Sequence, residues 1–246
     1  MNTCVPNNRT KPRSSFYTWV SIGTFLIVFA GFARTYYLKI LFGAPALPLL
    51  LHLHGLIFTL WFALFFIQAR LIARHRVDLH RRLGVLGAVL GPLAACVAIA
   101  VAFHAARRSY LADPASLTAL RSPLALDFGS SLTFALLVAA ALYFRRRGDI
   151  HKRLMVLASC GLLLPGVGRL LERIPVHFLH AGGLWGLIGF TEITPVVCIL
   201  YDTVKHRRLH PGFAWGGLAL LSSLPVLMVI SRTNAWFTFA KWLVSR

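Results

Sequence analysis

Long apolar runs alternate along the chain with short, strongly basic connections. A backbone crossing hydrocarbon has no water to bond with, so each such run is expected as an α-helix. A span needs about 20 residues. The pattern predicts seven spans, near residues 16–33, 50–69, 84–105, 124–144, 154–171, 182–201 and 212–230. The expected fold is therefore all-α, a polytopic membrane helical bundle. Residues 1–15 read as a basic cytoplasmic tail, 16–230 as the transmembrane domain and 231–246 as an interfacial amphipathic helix. On that last segment Trp236, Phe239 and Trp242 fall three apart, on one helical face.

Residues 34–49 are apolar but too short to cross, and contain Pro45 and Pro48. They are expected in the outer interface, anchored by Tyr36 and Tyr37. The first run ends at Gly31-Phe32-Ala33, a stretch compatible with signal cleavage. The run is long for a signal peptide, so an uncleaved first helix is expected. Gly87 with Gly91, and Gly182 with Gly186, form GxxxG pairs that permit close helix contact in lipid. Pro92, Pro165, Pro195 and Pro225 are expected to kink their spans.

Composition agrees with a membrane setting. Of 246 residues, 57% are hydrophobic and only 13% are charged, against about a quarter in soluble domains. Mean hydropathy is +0.70. A soluble fold of this length has too little interior for so much apolar surface. The net charge of +19 would suggest nucleic acid in a soluble chain, but here the cations sit between apolar runs. There they read as topology signals and contacts to anionic lipid headgroups, and nucleic acid is not expected as a partner. Of 26 Lys and Arg, 16 fall on one side: Arg9, Lys11 and Arg13, then the connections at 70–82, 145–153 and 205–208. The positive-inside rule predicts an inner-membrane protein with its N-terminus cytoplasmic and its C-terminus outside. Three of the four cysteines, Cys96, Cys160 and Cys198, lie within apolar runs without a CxxC pair and read as small hydrophobes.

A repeat organises the chain further. Asp78-Leu79-His80-Arg81-Arg82-Leu83-Gly84-Val85-Leu86 matches Asp149-Ile150-His151-Lys152-Arg153-Leu154-Met155-Val156-Leu157 at an offset of 71 residues. Asp, His, Arg, Leu, Val and Leu recur. A partial third copy is His206-Arg207-Arg208-Leu209, followed by His210-Pro211. Each copy precedes an odd-numbered span. The reading is three hairpin-like repeats with one helix added at the N-terminus.

Ionisable side chains inside a bilayer are costly, so each is a candidate for function. An outer group comprises His52, His54, His104, Asp127, Arg169, Glu172 and Glu192, with His177 and His180 in the following loop. His52 and His54 lie about 200° apart around a helix, so only one can face inward. His52, His54, His104, Asp127 and Glu192 offer ligands for a divalent metal, and His54 with His104 could ligate haem iron. Arg169 and Glu172 are spaced to pair with each other. An inner group centres on His80 and His151, which could ligate haem or hydrogen-bond a quinone headgroup. Asp78 and Asp149 could orient those imidazoles or favour the helix starts. Alternatively, Arg81, Arg82, Lys152 and Arg153 form a belt on lipid phosphates and the histidines belong to it. Trp61 and Gln68 lie along span two between His54 and His80. No phosphate-binding loop, HExxH or nucleophile triad spacing occurs.

His54-Gly55, Trp61, Gln68 and Leu79-His80-Arg81-Arg82-Leu83-Gly84, with Phe32-Ala33-Arg34-Thr35-Tyr36-Tyr37-Leu38 and His151-Lys152-Arg153-Leu154-Met155, resemble a group of bacterial multi-pass membrane proteins. The likeness spans most of residues 30–215 and implies a bundle of about seven helices, without an activity. A looser resemblance is to the b561-type transmembrane cytochromes, which implies histidine pairs holding haem b at both membrane faces. Two functions of different classes are thus expected. One is a redox or metal-binding membrane protein using His54 and His104 outside, His80 and His151 inside. The other is a non-enzymatic transporter or accessory protein whose interfacial histidines are structural.

Overall fold

The computed structural model describes residues 16–113, 120–173 and 183–245. The basic tail, His177, His180 and Gly182 lie outside the described residues. Among the described residues there is no strand. Helices run α1 (Phe16–Phe32), α2 (Leu49–Ala73), α3 (Val77–Ala112), α4 (Ser122–Tyr143), α5 (Gly148–Cys160), α6 (Leu164–Leu171), α7 (Gly183–His206), α8 (Pro211–Ile230) and α9 (Asn234–Ser245). Seven segments are long and apolar enough to cross a membrane, the first continuing to Tyr37 and the fifth comprising α5 and α6. The protein is a multi-pass membrane protein with an all-α bundle.

Span five interrupts at Gly161–Leu163. Pro165, in the first turn of α6, has no N–H to donate to the Gly161 carbonyl four residues back, so the α-helical ladder cannot run through. Proline here restarts a helix, whereas Pro92, Pro195 and Pro225 stay inside theirs. The two halves of the span occupy different places. α5 touches α1, α4, α7 and α8, whereas α6 sits between α1 and α7. Accordingly 56% of this span's most apolar window is buried, against 22–44% elsewhere. Arg153, Leu154 and the run Val156–Cys160 are all buried.

Small residues set the closest approaches. A methyl placed on Gly31 would come within 2.5 Å of the Gly166 carbonyl oxygen, so α1 and α6 meet backbone to backbone. One on Gly91 would meet Val138 at 2.8 Å and Trp61 at 3.4 Å, so this half of the GxxxG pair admits α2 and α4 together. Beside it, Trp61 packs edge-on to Phe134.

Ala33–Tyr37 winds as a π-turn continuing α1. Tyr36 and Tyr37 tie the segment to α2. The Tyr36 hydroxyl donates to the His52 carbonyl, and that of Tyr37 lies 2.8 Å from Thr59 Oγ1. Ile40, Leu41 and Phe42 of the same segment are exposed apolar side chains. α9 lies on α3 through buried Ala240 and Val244, and Trp236 Nε1 donates to the Leu120 carbonyl. Its Phe239 and Trp242 remain exposed and stack on each other.

Candidate functional site at the basic end of the bundle

The connections 74–76, 144–147 and 207–210 lie at one end of the bundle, with the start of α1. The first two copies of the repeat begin alike there. The His80 and His151 amides each donate to the carbonyl of the arginine just before the helix, Arg76 and Arg147. This places the two imidazoles at matching depth on α3 and α5. Their ring centres are 6.3 Å apart, with planes at 77°. His151 Nδ1 lies 2.8 Å from the Ala141 carbonyl. A carbonyl only accepts, so Nδ1 carries a proton, and Nε2 is the ring nitrogen that this contact leaves for another partner. His80 Nδ1 is buried without a hydrogen-bond partner. Trp61 Nε1, Gln68 Oε1 and His54 Nδ1 share that condition, spaced seven residues apart along α2.

Beside the histidines is a buried ionic cluster centred on Asp202. Arg153 grips its carboxylate with Nε at 2.9 Å from Oδ2 and Nη2 at 2.8 and 2.7 Å from Oδ1 and Oδ2. Only 3% and 1% of these side chains remain accessible. Arg153 Nη1 also donates to the Asp149 carbonyl, and the Tyr17 hydroxyl donates to Asp202 Oδ1 at 3.0 Å. His206, one turn after Asp202, donates Nδ1–H to the Asp202 carbonyl. Asp149 turns to the third partial copy, 3.0 Å from His210 Nε2. The second and third copies are thereby cross-linked. Asp78 and Arg82, the corresponding side chains of the first copy, are exposed.

Arg153 therefore does not belong to the expected lipid-facing belt, because a carboxylate on α7 holds it inside. Arg81, Arg82 and Lys152 are exposed, with the Lys152 ammonium over the Tyr17 ring. Sequence reasoning missed both Asp202 and Tyr17. The available signal was an acid within an apolar run, four residues before a histidine, in a chain with seven acidic residues.

The outer candidates do not assemble as one ligand set. His52 and His104 are exposed on α2 and α3. His54 turns inward and stacks on Phe58 at 4.4 Å. Arg169 stands within electrostatic reach of both His54 and Asp127, but stacks over Phe32 at 4.3 Å and donates to the Pro165 carbonyl. It forms no ion pair with Glu172 among the described residues. Glu192, tenth in α7, is deeper and faces a small cavity with Cys160. Among the described residues, no three His, Cys, Asp or Glu side chains converge to hold a metal ion. The physical reason is helix phase: His52 and His104 point away from the bundle interior that His54 and Glu192 face.

Comparisons with protein-family models, with curated proteins and with solved structures give no match.

Proposed function

We propose that the protein is a redox or metal-binding membrane protein in which His80 and His151 are the ligand pair of one metal centre, haem b among the candidates. One observation carries the reading: two histidines from two copies of the repeat stand edge-on to each other, 6.3 Å apart between ring centres. Imidazoles on opposite sides of one metal stand about 6 Å apart, since each metal–nitrogen bond is ~2.0–2.1 Å. The Ala141 carbonyl supports it further, because fixing Nδ1–H on His151 is how ligating histidines present Nε2. The partnerless Nδ1 of His80 is the position a second such orienting group would occupy.

Metal analysis and an absorption spectrum of detergent-purified protein test this. The expected result is a stoichiometric metal or a Soret band that His80→Ala and His151→Ala each abolish. Colourless, metal-free protein whose histidine variants fold as wild type would sink it.

That second outcome is what the alternative expects: a transporter or accessory protein with structural histidines. It draws on His206 and His210, whose imidazoles already act as ties to Asp202 and Asp149. In either reading the basic end faces the cytoplasm of a bacterial inner membrane. Its exposed arginines meet anionic headgroups there, and the C-terminus lies outside.

A further inference from the structure

Where span five breaks, a cavity of about 10 Å³ lies between α4, α5, α7 and α8, with room for about one water-sized sphere. Ser130, Thr133, Thr191, Glu192 and Ser223 line it on one part and Cys160, Gly161, Leu220 and Leu224 on the rest. The four hydroxyls are all committed in the same way. Each donates to a carbonyl of its own helix: Ser130 to Asp127, Thr133 to Gly129, Thr191 to Leu187 and Ser223 to Leu220. With their protons so placed, their oxygens meet the cavity as acceptors. Glu192 adds a carboxylate, and the Gly161 carbonyl lacks its helical donor. No cationic side chain lines the space.

Mid-span in a bilayer, such a carboxylate is neutralised either by its own proton or by a bound cation, and the oxygens around it favour the cation. Among the described residues Glu192 makes no ion pair. The lining suits a hard cation, which takes oxygen ligands. One carboxylate balances one positive charge, and the volume excludes hydrated or organic cations. We propose that this cavity is a Na⁺ site, with Glu192 as its charged ligand and the hydroxyls of Ser130, Thr133, Thr191 and Ser223 as neutral ones.

The test is thermal unfolding of the detergent-solubilised protein at constant ionic strength in NaCl, KCl or choline chloride, with ²²Na⁺ binding measured in parallel. The expected result is a saturable upward shift of the midpoint in Na⁺ over choline, with one displaceable ²²Na⁺ per chain. Glu192→Gln removes both, while its midpoint in choline is no lower than wild type. Should Glu192→Gln fail to fold, Ser223→Ala and Thr133→Val serve instead, each weakening the Na⁺ response. Identical midpoints in all three salts, or a full Na⁺ response in the variants, would overturn the proposal.

Discussion

Asp202 is one of seven acidic residues and holds four partners at once: Arg153, Tyr17, His206 and, through Arg153, the Asp149 backbone. Both charges of the pair have left water, and their attraction only offsets that loss while both are present. Removing one partner of such a pair costs about 3–5 kcal/mol, whereas replacing both by apolar groups of similar volume is near neutral. Arg153→Met and Asp202→Leu are therefore each expected to lower the unfolding midpoint in detergent sharply. The double variant is expected to recover most of the loss. Two single variants with unchanged midpoints would refute the coupling. Tyr17→Phe deletes one hydrogen bond to a charged group and is expected to cost less, about 1.5–3 kcal/mol.

At the level of elements, the interrupted fifth span decides the architecture. α5 is enclosed near the basic end, and α6 leans on α1 at the far end, where Gly31 meets Gly166. The two glycines of α1 should answer differently to the same change. Gly31→Ala drives a methyl into the Gly166 backbone, which cannot rotate away, and overpacking of this kind costs about 1–3 kcal/mol. Gly23→Ala meets nothing within 4 Å and is expected to stabilise by about 0.5–1 kcal/mol through helix propensity. Thermal midpoints of the pair, measured side by side, check both signs.

For the whole molecule, seven segments long and apolar enough to cross predict that the two ends of the chain lie on opposite sides of the membrane. Sixteen of 26 cations then fall on the side of the hairpin connections. In a background free of the native cysteines, a cysteine at Arg146 is expected to react with an impermeant maleimide only in inside-out vesicles. One at Thr233 is expected to react only in right-side-out vesicles. Labelling of both from one side would break the topology.

Sequence alone determined what depends on solvent and chain length. Spans, their number, the hairpin repeat and the crowding of cations at one end follow from apolar run lengths and charge counts, which are local. The same reading put His80 and His151 forward, because a repeat preserves register and depth. What it could not decide was direction around each helix. His54 and His104 carry the same chemistry, yet one turns inward and the other outward. Arg153 sits in a run of cations that otherwise face outward, and only a carboxylate 49 residues away draws it inside. Glu192 and four hydroxyls from three helices share a cavity because span five breaks beside them. Those outcomes belong to tertiary structure: packing angles between helices fix which faces meet, and no local pattern encodes them.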